Sequence, residues 1–555
     1  MRKSDPVKES LMAPEAPFEV VTDGAFRVFR NAPETMRDFF NAAREFGPLE
    51  FIVSGDRRLT YDAFFEAADD LASELVTKWG VKAGQSVAIC MKNSPEWMMA
   101  FVAILNAGAV AVLINSRGTG NTMLRALKDS DSVLVFVDKV RHNRLLASES
   151  DIPVIQSNAF PKHSDTVDLP KRKSQDVAAM FFTSGTTGVS KAAVISHRAL
   201  ITGMLNTKLA MAAVFTKMAM AYNISLEALK AQMPQTCSLL VFPLFHTSGC
   251  SAVFLTAMST GGKLVVMDRW DAEDALRLIE TERVTTFGGV PSLHWDVLRS
   301  KALNSYDTSS LMSISCGGQA LPLNLLNEIR VKFPKVFIGG GYGMTECCGA
   351  ISQANGEAFL ANPESSGQVL PMVDVTVRDA NGAPVPEGRL GEIWIKGATL
   401  MEGYYKKPEE TAASMSGAWF KTGDIGRIDL NGYVYIVDRK TDMIISGGEN
   451  IYCAEIEQVF SKCDGVRQVV AFGVPDERLG ERLVLAVSYD EIPTSLHSLE
   501  TFAVQSLGDY KQPTDYFIQS EPFELNAMGK AVKQDIRKAY LNKLAADALT
   551  NVVKI

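Results

Sequence analysis

The chain has 555 residues, a net charge of −8 at pH 7, 46% hydrophobic residues and 22% charged residues. This length is too great for a single hydrophobic core, so we expect two or three domains, and the composition is typical of an ordered globular protein. A nucleic-acid partner is disfavoured, because binding a phosphate backbone requires clustered lysines and arginines, and this acidic chain has no long basic run. We expect instead a small anionic ligand that is bound locally.

The cysteines form no C-x-x-C pair and no pattern with histidine that is typical of a metal site; they are Cys90, Cys237, Cys250, Cys316, Cys347, Cys348, Cys453 and Cys463. We therefore expect reduced, mostly buried thiols, which indicates a cytoplasmic protein, with association at a membrane surface left open. The first 17 residues contain charges but no apolar h-region, so a secretory signal is not predicted and a loosely ordered lead-in is expected.

An almost wholly apolar run from Trp97 to Ile114 has about the length of a minimal membrane-spanning helix. Residues that typically begin and end helices favour another interpretation of this run. Pro95 follows a serine that can cap a helix, and Gly108 suits a helix end, so the sequence predicts a buried helix followed by a short strand over 110–114. A transmembrane segment is not predicted.

Predicted strands alternate with predicted helices over much of the chain: strands are expected at 86–90, 110–114, 133–137, 178–182, 238–242, 263–267 and 285–288. This alternation predicts an α/β fold with parallel, helix-covered sheets in a large N-terminal domain. Short alternating runs from 373 to 437, separated by turns such as Asn381-Gly382, predict a small antiparallel β subdomain. A small α+β C-terminal domain is expected to follow. We place the boundaries at 1–30 for the lead-in, 31–438 for the large domain and 443–555 for the C-terminal domain.

The residues from Thr183 to Lys191 read Thr-Ser-Gly-Thr-Thr-Gly-Val-Ser-Lys and lie between two predicted buried strands. Two glycines permit a tight turn, so main-chain N–H groups and hydroxyls can point into one concavity and bind phosphate, with Lys191 supplying a cation. The spacing differs from the P-loop, whose lysine directly follows its second glycine, so an ordinary GTPase or kinase is disfavoured. From composition alone, a surface loop rich in Ser, Thr and Gly is equally plausible.

This string resembles the phosphate loop of the adenylate-forming superfamily, which contains acyl-CoA synthetases, peptide-synthetase adenylation domains and beetle luciferases. Further motifs resemble that family in its order, and together they cover roughly residues 50 to 545: Pro243-Leu244-Phe245-His246, Tyr342-Gly343-Met344-Thr345-Glu346, Lys421-Thr422-Gly423-Asp424 and Gly529-Lys530. The resemblance implies an AMP-forming acyl-CoA synthetase that uses ATP, Mg²⁺ and coenzyme A. Its expected substrate is an apolar acid, either a medium- or long-chain fatty acid or an aryl-alkanoic acid.

The same resemblance implies the site residues. The catalytic residues are expected to be Lys530, His246, Thr345 and Glu346, with Glu346 also binding Mg²⁺. Nucleotide contacts are expected from Thr183, Ser184, Gly185, Thr186, Thr187, Gly188, Lys191, Gly318, Gln319, Ala320, Gly341, Tyr342, Gly343, Met344, Thr345, Asp424, Arg439 and Lys530, and from position 436, which is Ile436 in this sequence. The acyl pocket is expected to include His246, Thr247, Ser248, Gly317, Gly318, Gly341 and Gly343. Coenzyme A is assigned to Ser446, Gly447, Gly448 and Glu449.

Several of these assignments have a direct physical reason. The Tyr342 ring can stack on a purine, and Glu346 offers the hard oxygen ligand that Mg²⁺ prefers. The Asp424 carboxylate can accept hydrogen bonds from both hydroxyls of a ribose. Before the resemblance is considered, a turn aspartate at a strand end is the less favoured alternative for Asp424, and Lys530 is expected to be a surface charge.

Lys530 and the loop at 446–449 are expected to serve successive steps from within one small domain. The resemblance therefore implies that this domain rotates about a hinge at 439–442. Relatives commonly have Asp or Lys two positions after the arginine that corresponds to Arg439, whereas this chain has Thr441 there.

Alternatives remain open at this point. The chain could be a stand-alone adenylation enzyme that loads a carrier protein, or a nucleotide-binding module that has lost catalysis. A homodimer is also left open. A methionine-rich helical stretch over 205–236 could flank an adaptable acyl pocket, although filling of the core is the favoured interpretation.

Overall fold

The computed structural model describes residues 5–161, 165, 167–183, 190–267, 269–318, 320–447, 449–489, 495–525 and 531–552. Its helices are α1 (Pro6–Met12), α2 (Met36–Ala43), α3 (Tyr61–Thr77), α4 (Pro95–Asn106), α5 (Gly120–Asp129), α6 (Lys139–Leu146), α7 (His197–Tyr222), α8 (Leu226–Gln232), α9 (Thr247–Gly249), α10 (Thr256–Ser259), α11 (Ala272–Thr281), α12 (Pro291–Arg299), α13 (Leu323–Lys332), α14 (Glu357–Ala361), α15 (Pro408–Ser414), α16 (Cys453–Phe460), α17 (Leu496–Ser506) and α18 (Lys533–Val552).

The strands are β1 (Val20–Asp23), β2 (Phe26–Phe29), β3 (Glu50–Ser54), β4 (Arg57–Thr60), β5 (Ser86–Cys90), β6 (Val110–Leu113), β7 (Leu134–Val137), β8 (Val154–Gln156), β9 (Val177–Thr183), β10 (Lys191–Ser196), β11 (Cys237–Leu240), β12 (Lys263–Val266), β13 (Thr286–Gly289), β14 (Ser313–Cys316), β15 (Phe337–Met344), β16 (Gly349–Asn355), β17 (Gln368–Val369), β18 (Asp374–Arg378), β19 (Gly391–Lys396), β20 (Gly403–Tyr404), β21 (Met415–Ser416), β22 (Trp419–Ile428), β23 (Val434–Arg439), β24 (Ile444–Ser446), β25 (Glu449–Ile451), β26 (Val466–Asp476), β27 (Gly480–Tyr489) and β28 (Asp515–Gln519).

Two large sheets form the body of the protein. The first has the order β20-β10-β9-β6-β5-β7-β8, and the second has the order β17-β16-β15-β14-β13-β11-β12-β3-β4. The neighbouring pairs from β9 to β8 and from β15 to β3 are parallel, whereas β10, β20, β16, β17 and β4 join their sheets antiparallel. The predicted α/β class is confirmed.

Helix α4 lies in the largest core, which contains apolar side chains of both large sheets. The Ser94 hydroxyl accepts a hydrogen bond from the Trp97 N–H group at 3.2 Å, Pro95 occupies the first turn, and Gly108 follows with a φ of +73°. These features begin and end a core helix as the sequence predicts. Among the described helices, α7 is long and apolar enough to span a membrane, but 56% of its most apolar window is buried inside the fold.

Two smaller sheets complete the chain. The third sheet has the order β18-β19-β22-β21 with β23 paired to β22, and every pair in it is antiparallel. The fourth has the order β25-β24-β27-β26, with β28 added parallel to β27. Both sheets agree with the antiparallel and α+β segments expected after residue 373.

The N-terminal segment is more ordered than its sequence predicts. Residues 6–12 form α1, and Leu11 and Met12 pack with Phe29 and Leu209 of α7. A salt bridge between Lys217 and Asp5, 2.7 Å long, adds to this contact. The expectation of a loose lead-in is wrong here. Two apolar residues in a two-turn helix are too few to produce a periodic signal in the sequence, but they are enough to pack the helix against α7.

All of the cysteines are free and buried, as expected. Burial raises the pKa of the Cys316 thiol to about 12, and it raises the pKa of the other cysteine thiols as well. Thiols held protonated in this way are poor nucleophiles, so they are structural residues.

Candidate active site

The phosphate-loop segment begins and ends on adjacent antiparallel strands. Thr183 at the end of β9 pairs with Lys191 at the start of β10, and the Ser190 hydroxyl donates to the Thr183 carbonyl oxygen at 2.5 Å. The segment is therefore held between strands, as predicted. The expected contacts Ser184, Gly185, Thr186, Thr187 and Gly188 lie outside the described residues.

Tyr404 joins this segment to the predicted metal ligand. Strand β20 pairs with β10, which brings the Tyr404 ring centre to 5.0 Å from Lys191 Nζ. The Tyr404 hydroxyl donates to Glu346 Oε1 at 2.8 Å. Burial and the neighbouring Glu346 carboxylate raise the pKa of Tyr404, so its hydroxyl remains a proton donor. Tyr404 was not predicted from the sequence, because the strand that positions it, β10, lies more than 200 residues away along the chain.

The Glu346 carboxylate is a chemically suitable ligand for Mg²⁺. It lies beside the ends of the phosphate-loop segment, and the Met401 N–H group donates to the Glu346 carbonyl oxygen at 2.8 Å and so fixes the main chain. Proteins commonly bind Mg²⁺ through one or two carboxylates, with waters and substrate phosphates completing the shell. Because the described part of the chain contains no cluster of three or more His, Cys, Asp or Glu ligands, the cation would depend on the phosphates.

Tyr342, Asp424 and Arg439 form a hydrogen-bonded chain. The Tyr342 hydroxyl donates to Asp424 Oδ2 at 2.5 Å, and Arg439 Nε lies 3.0 Å from Asp424 Oδ1. Asp424 and Arg439 are direct partners on β22 and β23. The Thr422 hydroxyl, which we did not predict, accepts from the Asp424 N–H group at 3.0 Å. Each carboxylate oxygen of Asp424 already has a partner, although a second lone pair on each is compatible with a ribose hydroxyl.

The run from Pro243 to His246 is fixed from one side by Asn93. The Asn93 amide donates to the Phe242 carbonyl oxygen and accepts from the Leu244 N–H group, both at 2.9 Å. The expected helix after this run is irregular, because a π turn over Cys250–Leu255 separates α9 from α10. An added Cβ at Gly249 would lie 2.2 Å from the Pro243 carbonyl oxygen, so this turn requires glycine. The main chain that carries His246 is thus fixed by contacts that the motif alone did not reveal.

A single cavity of about 930 Å³ brings most of the described candidate residues together. The predicted residues that line it are Thr183, Lys191, His246, Thr247, Ser248, Gly317, Gly318, Gly341, Tyr342, Gly343, Met344, Thr345, Glu346 and Arg439. Asp424 lies behind the lining, where it holds Tyr342 and Arg439. The methionine-rich segment also contributes, because Met211, Met218 and Met233 line the cavity, and the favoured interpretation of pure core filling is therefore wrong for these three residues.

Other predicted residues lie apart from this cavity. Ala320 is exposed and does not line it. Position 436 offers no polar contact, because Ile436 packs against the apolar core and the neighbouring Tyr435 ring lies under the Arg427 guanidinium instead. That assignment is corrected: an aliphatic side chain cannot hydrogen-bond the nucleotide.

The expected coenzyme A loop belongs to the fourth sheet. Ser446, Gly447 and Glu449 lie at a β24–β25 hairpin in which Gly447 has a φ of +60° and donates to the Leu479 carbonyl oxygen at 2.8 Å. They are not among the residues that line the 930 Å³ cavity. Gln319, Gly448 and Lys530 lie outside the described residues, so their assignments remain predictions.

A second cavity, of about 670 Å³, is strongly basic. Its charged lining consists of Lys92, Arg117, Asp138, Lys139, Arg141, Arg144 and Arg269. Arg141 Nε donates to the Ser116 carbonyl oxygen at 2.8 Å, and Arg144 Nη1 donates to the Gly118 carbonyl oxygen at 3.0 Å, so two of the guanidinium groups are fixed. Pro243 and Phe245 form part of its wall, directly before His246 of the first cavity. This basic cavity was not predicted from the sequence, because its cations come from separate segments.

Comparisons with known proteins find similarity over most of the chain. The family profile described as AMP-binding enzyme matches residues 39–405, and the profile of the AMP-binding enzyme C-terminal domain matches residues 455–530. The long-chain-fatty-acid–CoA ligase FadD13 of Mycobacterium tuberculosis is 31% identical over 504 residues, which cover 88% of this chain and 94% of the relative. An octahydroindenyl-propanoyl:CoA ligase of Rhodococcus jostii is 29% identical over 532 residues, covering 90% of this chain and 97% of the relative.

A solved structure shares the fold over nearly the whole chain. O-succinylbenzoate coenzyme A synthetase of Bacillus subtilis, in complex with ATP and a magnesium ion, matches with a TM-score of 0.77 and 25% sequence identity. The match covers 90% of this chain and 99% of that chain.

Proposed function

The chain belongs to the AMP-binding enzyme family, and from this membership we propose that it is an AMP-forming acyl-CoA ligase that activates an apolar carboxylic acid. The observation that carries the proposal is the shared cavity, whose lining includes Lys191 and Glu346, Tyr342 and Arg439, and His246. Its co-substrates are ATP and coenzyme A, and its metal ion is Mg²⁺.

The first step joins two anions. A carboxylate oxygen attacks the α-phosphorus of ATP, an O–P bond forms, and pyrophosphate leaves with the electrons of the broken P–O bond. Lys191 and Arg439 lie where they can offset the charge on the phosphoryl oxygens, and positioned donors of this kind contribute about 10²- to 10³-fold each. Mg²⁺, when bound at Glu346 and the phosphates, supplies further positive charge.

The second step transfers the acyl group to a thiol. The sulfur of coenzyme A attacks the acyl carbon, a C–S bond forms, and AMP leaves with the oxygen that came from the acid. Coenzyme A carries several phosphate charges, and the 670 Å³ basic cavity, which is lined by Pro243 and Phe245 directly before His246, offers positive charge that could bind them. This cavity favours coenzyme A over a carrier protein as the acyl acceptor.

Further assignments rest on the same premise. We propose that Lys530 enters the site for adenylation, that residues 446–449 bind the pantetheine arm, and that the segment after the 439–442 hinge rotates between the steps. We also propose a cytoplasmic location, which the buried free thiols support. A homodimer is a separate prediction, and light scattering of the purified protein would test it.

Pyrophosphate exchange tests the proposal. With Mg²⁺, ATP and a panel of fatty, phenylalkanoic and benzoic acids, the protein should exchange labelled pyrophosphate into ATP without coenzyme A, and it should release AMP and thioester when coenzyme A is added. Acid-dependent exchange without thioester formation would favour the carrier-loading alternative. An absence of exchange with every acid would favour an inactive nucleotide-binding module.

A further inference from the structure

Helix α7 presents one continuous stripe of residues to the 930 Å³ cavity: Gly203, Met204, Thr207, Met211, Val214, Phe215 and Met218. Their spacings of three and four residues place them on one face of the helix. Met220 lies on the opposite face and has 67% of its surface exposed. The cavity therefore follows α7 over most of the helix length.

A second wall of the cavity, formed by β13 and β14, is unusual for a parallel sheet. Cavity-lining positions of β13 and β14 carry Thr286, Gly288, Ser313 and Ser315. The alternate residues Phe287 and Ile314 point into a conventional apolar core. Parallel sheets covered by helices are normally apolar on both faces, and small residues on one face here leave a gap beside the sheet, inside the cavity that α7 also lines. The gap is a channel rather than a packed layer.

The channel is effectively neutral along α7. The described charged residues in the lining are Lys191, Glu346, Glu392, Lys421, Arg439 and Lys440, and their contacts belong to the nucleotide end, as with the Lys440–Glu392 and Arg439–Asp424 ion pairs. Two threonines that line the channel bond the main chain: the Thr207 and Thr260 hydroxyls donate to the carbonyl oxygens of Gly203 and Thr256. Their hydroxyl groups are thus already used.

The length of the stripe sets an upper limit on the length of the ligand. Gly203 marks the nucleotide end, since an added Cβ there would lie 3.3 Å from the Cys348 side chain, two residues after Glu346. From Gly203 to Met218 the helix rises about 22 Å at 1.5 Å per residue. An extended hydrocarbon advances roughly 1.25 Å per carbon–carbon bond, so a chain of roughly 18 carbons spans this distance. Phe337, 40% exposed, also lines the cavity, so the distal end reaches the surface.

Resting on the proposed function, we propose that the acid is a long unbranched fatty acid of about 14 to 18 carbons that lies along α7 from Gly203 to Met218. A compact ring system would leave the methionine half of the channel without contacts, which forfeits dispersion energy. Flexible methionines at 211 and 218 can instead adjust to a mobile polymethylene chain.

A series of tryptophan substitutions on α7 tests the channel. Met211→Trp and Met218→Trp should block it at about 12 Å and about 22 Å from Gly203, whereas Met220→Trp adds the same ring to the exposed face of the same helix. We would measure kcat/KM for AMP release with saturated acids from 6 to 20 carbons and with 3-phenylpropanoate, all below their micelle concentrations.

The wild type and Met220→Trp should prefer acids of about 14 to 18 carbons. Met211→Trp should lose roughly 100-fold with hexadecanoate while octanoate stays within about threefold, and Met218→Trp should shift the cut-off to about 12 to 14 carbons. Retained octanoate activity shows that a variant folds. A preference for 3-phenylpropanoate or short acids, or Met211→Trp and Met218→Trp profiles equal to that of Met220→Trp, would overturn the channel assignment. Failure to release AMP with any acid would instead overturn the proposed function.

Discussion

At the scale of single residues, neutral tyrosine hydroxyl groups position the charged side chains of the site. Tyr404 fixes Glu346 and lies against Lys191, while Tyr342 fixes Asp424, which in turn holds Arg439. Burial raises the pKa of both tyrosines, so each remains a hydrogen-bond donor. The cations and the carboxylate that would face a triphosphate are therefore preorganised before any ligand binds.

Tyr404→Phe tests one of these contacts. The substitution removes the hydroxyl that donates to Glu346 but keeps the ring beside Lys191, so we expect pyrophosphate exchange to fall by about tenfold, consistent with the loss of one hydrogen bond to a charged group. The Mg²⁺ concentration needed for half-maximal rate should rise, and the KM for the acid should stay unchanged.

Tyr405→Phe is the matched control for this substitution. Its hydroxyl donates to Asp131 at 2.9 Å, away from the cavity residues, so the exchange rate should remain at the wild-type level. Equal Mg²⁺ dependence in wild type and Tyr404→Phe would contradict a role for Tyr404 in positioning Glu346.

His197 makes stability depend on pH. Its Nδ1 accepts a hydrogen bond from the Met36 N–H group at 3.1 Å, and burial, with the nearby Arg172 cation, lowers the pKa of His197 to about 4. Between pH 6.5 and 4 the unfolded chain binds a proton that the folded chain does not, so the free energy of unfolding falls as the pH is lowered. We expect His197 alone to contribute a loss of about 2 kcal/mol between pH 7 and pH 5.

Denaturant unfolding of wild type and His197→Asn at pH 7 and pH 5 would measure this contribution. The asparagine oxygen can still accept from Met36, so the variant should lose less stability on acidification than the wild type does. His294, whose pKa burial also lowers to about 4, is present in both proteins and cancels in the comparison. The same loss in both proteins would show that His197 does not carry this pH dependence.

At the scale of secondary-structure elements, the sequence was informative where the signal is local. Strand β5 was predicted residue for residue, the start of α4 follows from Ser94 and Pro95, and the strands on both sides of the phosphate loop follow from their apolar runs. Contacts between distant segments were missed. Tyr404 reaches Lys191 only because β20 pairs with β10, and Asn93 reaches Phe242 across 149 residues. A single sequence does not show which distant segments pair. The motif residues were therefore predicted, but the residues that position them were not.

The basic cavity is another such assembly of distant segments, and Arg117, between β6 and α5, tests its role. If the cavity holds the phosphates of coenzyme A, Arg117→Ala should raise the KM for coenzyme A by about tenfold, as expected when one charge-assisted contact is lost. The effect should be much smaller with pantetheine as the acceptor, and pyrophosphate exchange should be unchanged.

Arg125→Ala provides the control for this variant. Arg125 is an exposed residue of α5 outside the cavity lining, and its Nε lies 3.5 Å from Asp129 Oδ2. Its loss should alter neither the KM for coenzyme A nor the KM for pantetheine. If Arg117→Ala changed pyrophosphate exchange as strongly as thioester formation, the cavity would not be specific to the acceptor.

At the scale of the whole molecule, the proposed reaction requires two successive arrangements of the segment after the 439–442 hinge. Asp438, directly before the proposed hinge, accepts a hydrogen bond from the Cys453 N–H group at the start of α16, so this contact crosses the hinge. Burial raises the pKa of Asp438 to about 6. A rotation of the segment after residue 442 would have to break or remake this contact.

Lys530→Ala tests whether Lys530 serves adenylation alone and not the transfer to coenzyme A. We expect the variant to lose adenylation by at least about 100-fold, the size typical of a lost catalytic cation, while transfer from a supplied acyl-adenylate to coenzyme A continues at a near-normal rate. Lys538→Ala, on the exposed side of α18, is the control and should leave both steps unchanged. Equal loss of both steps in Lys530→Ala would contradict the assignment.

The central claim is that the acid becomes reactive by attachment to AMP, and the most direct measurement follows an oxygen atom. Hexadecanoate labelled with ¹⁸O in its carboxylate, incubated with the protein, Mg²⁺, ATP and coenzyme A, should yield AMP carrying one ¹⁸O atom for each thioester formed. Unlabelled AMP, label in inorganic phosphate, or ADP as the nucleotide product would contradict the account.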